Sequence, residues 1–153
     1  MNTTPANILI ALRAHLDSGN FINTVKIAGD PAHALDLLAA GRPGASLAVI
    51  YYDGDDPAPD VFDIPGACLV RARIRVIILR HPGLAADASG RELTALDLAE
   101  SVRVKMLAAD LPFDPPAYGG MEPLVSGDNS LLHGYRLQFF VTYPFGGSPH
   151  GLN

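Results

Sequence analysis

The sequence has one cysteine, Cys68, no tryptophan and no long apolar run. A lone cysteine excludes a disulfide within the chain and any cysteine-based metal site, and it favours a reducing compartment. No apolar run approaches the roughly 20 residues of a membrane-spanning helix. The first residues, Met1 to Pro5, lack the basic start and the apolar core of a secretion signal. We therefore expect a globular protein that does not insert into a membrane.

Short motifs of common enzyme chemistry are also missing. No glycine-rich phosphate loop precedes a Lys-Ser/Thr pair, and no Gly-x-Ser-x-Gly elbow occurs. The five histidines are scattered, with no metal-ligand spacing between any two of them. The sequence therefore predicts no enzyme activity, no metal and no cofactor, although residues distant in sequence can still form a catalytic site in space.

The acidic residues are unevenly distributed along the chain. The net charge is −5, from 16 acidic and 11 basic residues. The segment 53–63 holds five aspartates and no basic residue, and without it 11 acidic residues face 11 basic ones. The five are Asp53, Asp55, Asp56, Asp60 and Asp63. The rest of the surface should thus be neutral overall, which argues against a strongly basic nucleic-acid-binding protein.

The stretch 71–110 predicts a strand, a turn and a long helix. In the strand Ala72 to Arg80, alternation places Ala72, Ile74, Val76 and Ile78 on one face. Arg71, Arg73 and Arg75 fall on the other face, which becomes apolar further on at Ile77 and Leu79. The helix, about 91–109, begins with a capping box and should bury one apolar stripe. This stripe consists of Leu93, Leu96, Val102 (or Ala99), Met106 and Leu107.

The remaining pattern predicts a small α+β sandwich, with a mostly antiparallel sheet and helices packed on one face. At 153 residues the chain is long enough for one domain with a full core, here 1–145, followed by a mobile tail 146–153. The acidic segment 53–67 has three prolines and is predicted to be a long loop. The other predicted elements are helices 5–18 and 31–40 and strands 21–27, 47–52, 69–80, 121–125 and 131–143.

The acidic loop has three possible roles. Asp53-x-Asp55-Asp56 begins like a calcium loop, but the downstream glutamate of such a loop is absent. The loop can instead be a solvated segment, or an acidic arm that docks on a partner. We predict that 53–63, including Asp60, contacts a partner chain more than its own core.

The row Arg71, Arg73 and Arg75 has two interpretations. It can be the solvent face of a half-exposed strand, paired with carboxylates across the sheet. It can also be a charged surface for a neighbouring subunit or for passing phosphates. We predict that at least one of these arginines pairs with an acidic side chain of an adjacent subunit, because complementary patches fix the register of an assembly.

The order of elements resembles that of the tail terminator (tail completion) and head–tail joining proteins of long-tailed bacteriophages. The resemblance covers about 5–145 and rests on the strand Leu47 to Tyr52, the strand Arg71 to Arg80, the long helix and the final strand Arg136 to Tyr143. It implies a virion structural protein of the tail or neck, assembled in the host cytoplasm as a hexameric ring. Such a ring caps the tail tube, meets the head connector or stopper protein, and lets DNA pass without sequence-specific binding.

An alternative of another class is a small α+β enzyme or ligand-binding domain. It would require a pocket with converging polar groups. His81, Asp110 and Tyr118 lie near predicted element ends and are the first candidates for lining it. A host-side regulatory module is a third option.

Overall fold

The computed structural model of the chain describes residues 4–29, 46–57, 68–80, 88–110, 115–124 and 133–145. Within them, two helices and five strands form a single-domain α+β fold, as the sequence predicts. In chain order they are α1 (Pro5–Asp17), β1 (Thr24–Ile27), β2 (Ser46–Pro57), β3 (Cys68–Arg80), α2 (Ala88–Leu107), β4 (Ala117–Leu124) and β5 (His133–Phe145). The predicted helix 31–40, the tail 146–153, Asp60 and His81 lie outside the described residues.

The five strands form one mixed sheet in the order β1-β2-β3-β5-β4. β1 runs parallel to β2, and the other three pairs are antiparallel, which confirms the prediction of a mostly antiparallel sheet. The long strands β2, β3 and β5 lie at the centre. β3 pairs with β5 along its whole length, from Cys68 opposite Phe145 to Arg80 opposite His133. This ladder fixes which side chains of β3 and β5 share a face.

Both helices pack on the same face of the sheet, which we call the helix-covered face. The apolar residues of β3 and β5 predicted to share a face are buried there, with Phe139 and Ile74 fully enclosed. α1 begins at the predicted cap, where Thr4 Oγ1 accepts a hydrogen bond of 3.2 Å from the Asn7 amide. The predicted stripe of α1 is buried, and it consists of Ile8, Leu9, Leu12 and Leu16.

The buried stripe of α2 differs from the predicted one. Leu96 is only half-buried and Leu107 is 40% exposed. The buried residues recur at spacings of three and four, which keeps them on one side of a helix, and two of them are alanines that let the helix lie close to the sheet. They are Ala95, Leu98, Ala99, Val102 and Met106. No helix in the described part of the chain has the length and apolar character needed to cross a bilayer.

β2 continues into the segment predicted to be an acidic loop. Residues 53–57 are strand, so the predicted loop 53–67 is wrong at its start. After a bulge, pairing with β3 resumes at Asp55 opposite Ala72 and continues through Asp56 opposite Arg71. Aspartate is a poor strand former, but the arginines of β3 supply opposite charges across the ladder, and that pairing outweighs the propensity.

The predicted ends of two other strands also need correction. β4 begins at Ala117, four residues before its predicted start at 121, because the glycine pair 119–120 is accommodated as a bulge within the strand. β1 begins at Thr24, three residues later than predicted, and Asn23 instead exchanges hydrogen bonds with Ser46. These bonds, of 2.8–2.9 Å, hold the starts of β1 and β2 together.

Candidate functional site

The face of the sheet opposite the helices carries most of the charged residues of the central strands. The β3–β5 register places Arg75 opposite Gln138, Arg73 opposite Phe140 and Arg71 opposite Thr142. On β4, Glu122 lies opposite Arg136 of β5. We call this surface the arginine face, and it comprises Arg71, Arg73, Arg75, Asp53, Asp56, Glu122, Arg136, Gln138, Phe140 and Thr142.

Arg73 is held by the bulge of β2. Its Nε donates to the backbone oxygen of Asp53 at 2.9 Å, and its Nη1 donates to Oδ1 of Asp56 at 2.6 Å. Gly54 lies between these two aspartates with φ of +95°, a value that favours glycine. A Cβ at Gly54 would lie 2.7 Å from Nη2 of Arg73. The guanidinium of Arg73 therefore occupies the space that a side chain at position 54 would need, and its two hydrogen bonds hold the bulge together.

Two other arginines of this face also have carboxylate partners in their own chain. Nε of Arg75 lies 2.6 Å from Oδ2 of Asp53, an ion pair in which the N–H does not point at the oxygen. Arg136 forms an ion pair with Glu122, directly across the β4–β5 ladder. The paired side chains are about one fifth to one half exposed, so each pair contributes modestly, on the order of 1 kcal/mol or less.

Arg71 differs from its neighbours. Its guanidinium carbon lies 4.7 Å from the centre of the Phe140 ring, a cation–π contact. It forms no ion pair with any described residue, and its Nε is buried without a hydrogen-bond partner among them. The Nε atoms of Arg75 and Arg136 are buried in the same way, so Arg71 differs in that its charge has no carboxylate partner among the described residues.

The arginine face is close to electrically neutral. Its four arginines exceed its three carboxylates by one, and the excess charge is that of Arg71. Between β3, β5 and β4 this face contains an open depression of about 430 Å³. Its lining is Arg75, Gly119, Gly120, Met121, Glu122, Arg136 and Gln138. Both arginines of the depression, Arg75 and Arg136, are already paired with carboxylates. The depression should therefore attract an anion less strongly than Arg71 does.

Asp55 lies away from the arginine face, at the end of the helix-covered face. The hydroxyl of Tyr143 donates to Oδ2 of Asp55 at 2.9 Å. Partial burial, and then a hydrogen bond to Asp55 and its negative charge, raise the pKa of Tyr52 above its usual 10.0. The three aspartates of β2 thus have different partners. Asp53 and Asp56 bind arginines, whereas Asp55 binds tyrosines.

The structure brings together five of the seven residues predicted to form an interface. Arg71, Arg73 and Arg75 share the arginine face with Asp53 and Asp56, while Asp55 faces the other way. Pairing across the sheet, one of the two interpretations of the arginine row, therefore occurs for Arg73 and Arg75. Whether the row also meets another subunit stays a prediction.

Sequence reasoning missed the contribution of β5 and β4 to this surface. Arg136, Gln138 and Phe140 alternate with buried residues in the same way as the three arginines of β3. That alternation predicts which face of β5 they occupy, but not that β5 lies beside β3. The pairing of strands distant in sequence brings the two rows together.

The two described residues predicted to line the alternative pocket, Asp110 and Tyr118, are both exposed. Asp110 is exposed beyond α2, and Tyr118 is 39% exposed. The ring of Tyr118 packs on Phe139 with ring centres 6.0 Å apart, and the Arg103 guanidinium lies 5.3 Å from its centre. Within the described ranges, no three His, Cys, Asp or Glu side chains come together as a metal site would require. The small-molecule alternative remains a hypothesis.

Comparison with known proteins adds no relative. A scan against protein-family models gives no match, and a search of the curated proteins gives none either.

Proposed function

We propose that this chain is a structural ring protein of the tail terminator type, which caps a phage tail tube and joins it to the head connector. The proposal rests on the order of elements. A first helix, the strands β1, β2 and β3, the helix α2 and the terminal hairpin β4–β5 follow one another as in the family that the sequence resembles. The α+β fold agrees with that family's expected architecture.

The two sides of the sheet supply what a ring subunit needs. In a closed ring, each copy meets the next through two different surfaces, because the contacts run head to tail. Here the helices cover one side of the sheet, and the arginine face lies on the other side, next to a buried apolar cluster that includes Val49, Ile77 and Leu79. The two surfaces differ in chemistry, which supports a head-to-tail contact over a symmetric pair of identical patches.

The near neutrality of the arginine face bears on DNA. A protein that binds nucleic acid through phosphates needs several unpaired cations. On this face, Arg73, Arg75 and Arg136 are paired with carboxylates of the same chain. This pattern favours a contact surface for protein over a phosphate-binding one, and in the proposed ring DNA passes through the centre without being held by this face.

The test is the effect of the chain on tail tube growth. When the chain is added to the tube protein of the same phage, we expect tubes to stop growing and to carry one hexameric ring of it at one end. Electron microscopy with a labelled antibody locates the ring, and quantitative mass spectrometry counts the copies per tube. Tubes of equal length with and without the chain, or copies spread along the tube, would contradict the proposal.

A further inference from the structure

Two groups of opposite charge, the half-buried Arg71 and the exposed Asp97, lie on opposite sides of the sheet and form no ion pair among the described residues. Arg71 on the arginine face has no carboxylate partner among the described residues. Asp97 on α2 is exposed and likewise forms no ion pair within the described part of the chain. Because the sheet lies between them, they cannot meet within one copy, and only a second copy can bring them together.

Asp97 belongs to an exposed stripe of α2 that also offers apolar surface to a partner. Ser101, Val104 and Ala108 follow it at spacings of four, three and four, so all lie on one side of the helix. Val104 is 65% exposed and adds apolar area to this side of the helix. Beside it lies an apolar groove of about 460 Å³, lined in part by Phe21, Val104 and Ala108.

The surroundings of Arg71, like the outer stripe of α2, include exposed apolar side chains. Leu69 lies two residues away on the same side of β3 and is 39% exposed. Phe140 lies beneath the guanidinium and is itself only half-buried. Both patches thus combine one unpaired charge with exposed apolar surface, and the charges are of opposite sign. Arginine stacked on an aromatic ring is a frequent anchor of protein interfaces, because it loses little freedom on binding.

We propose that Arg71 binds the carboxylate of Asp97 on a second copy, so that the outer stripe of α2 docks on the arginine face. This inference rests on the proposed ring function and identifies the contact between its subunits. Arg73 and Arg75 do not take this role, because a partner would first have to displace Asp56 and Asp53. The contact joins two different surfaces, as a ring requires.

Charge reversal tests the pair. Arg71→Glu and Asp97→Arg should each raise the concentration needed for self-association and for tube capping by about tenfold or more. The double variant Arg71→Glu/Asp97→Arg restores the pair with its charges exchanged, and we expect it to recover most of the lost association. Sedimentation velocity measures self-association of the purified full chain, and tube length measures capping.

Lys26→Glu is the matched control. Lys26 is exposed on the edge strand β1 and its reversal changes the net charge as much as that of Arg71. It should assemble like the wild type. Normal assembly of Arg71→Glu, or failure of the double variant to exceed both single variants, would overturn the Arg71–Asp97 contact while leaving the ring intact. A wild-type chain that neither associates nor caps tubes would instead overturn the proposed function itself.

Discussion

At the scale of single residues, Gly54 and Arg73 depend on each other. The positive φ of Gly54 is costly for any residue with a side chain, and a Cβ there would push against the guanidinium that binds Asp56. A side chain at position 54 would therefore both strain the backbone and displace the Arg73 guanidinium. Gly120 shares the positive φ, at +121°, but has open space around it. Gly29 has open space and no positive φ.

The three glycines form a graded test. Gly29→Ala should leave the free energy of unfolding nearly unchanged, because nothing lies within 4 Å of its added Cβ. Gly120→Ala should lower it by about 1 kcal/mol through backbone strain alone, and Gly54→Ala by about 2–3 kcal/mol. Urea unfolding followed by circular dichroism gives the three values. Equal losses at Gly54 and Gly120 would show that the Arg73 contact does not matter.

Tyr52 should make stability depend on pH in the alkaline range above 10.0. Its pKa is raised in the fold, so the folded state favours the protonated phenol more than the unfolded chain does. The resulting stability is fully present below pH 10.0 and is lost as the pH rises towards the folded-state pKa. Tyr52→Phe should remove this alkaline loss. Asp55→Asn should bring the pKa of Tyr52 closer to its ordinary value, because a negative neighbour disappears.

Two measurements check the Tyr52 prediction. Ultraviolet absorbance follows tyrosinate formation against pH, and urea unfolding at several alkaline pH values follows stability. If the wild type and Tyr52→Phe lose stability in parallel above pH 10.0, another group causes the loss.

At the scale of elements, the two neighbouring phenylalanines of β5 separate the faces of the sheet. Phe139 is fully buried against the helices, whereas Phe140 lies half-buried on the arginine face. Phe139→Ala should cost about 3–5 kcal/mol, because it leaves a cavity in the core. Phe140→Ala should cost about 1 kcal/mol, mainly through its contact with Arg71. Thermal unfolding of both variants checks the contrast, and similar losses would contradict the assigned faces.

The sequence was sufficient for those elements whose pattern is local. The faces of β3 and β5 and the stripe of α1 followed from alternation and helical spacing, and burial confirms them. In α2 the prediction that Leu96 is a core residue is wrong, because the small residues Ala95 and Ala99 lie against the sheet in its place. The extension of β2 could not be predicted, because its aspartates are stabilised by arginines of a different strand.

At the scale of the whole molecule, both edges of the sheet are protected against strand addition. On β1, the Val25 carbonyl accepts a hydrogen bond of 3.1 Å from Nε of Arg13 in α1. On β4, Pro123 offers no N–H group, and a proline in an edge strand is tolerated where its nitrogen faces away from the neighbouring strand. Association between copies should therefore use side-chain surfaces and not shared strands.

Pro123→Thr should expose the edge of β4. Threonine supplies an N–H and favours strand structure, so copies should pair edge to edge. We expect association or aggregation that grows with concentration and is insensitive to salt, unlike a contact between exposed charges. Light scattering at low and high salt distinguishes the two. Arg13→Ala provides the corresponding test at β1, and a Pro123→Thr chain that associates no more than the wild type would contradict the role of the proline.

The bulge of β2 also restricts how this sequence can drift over evolutionary time. A change of Gly54 alone adds strain and displaces Arg73, while a change of Arg73 alone leaves Asp56 and the Asp53 carbonyl without their donor. Each single step thus passes through a less stable chain, whereas joint replacement removes the whole arrangement at once. In related chains, positions 54, 56 and 73 should accordingly vary as a set. Position 71 contacts Phe140 but forms no ion pair among the described residues, and if the proposed contact between copies exists, positions 71 and 97 should vary together.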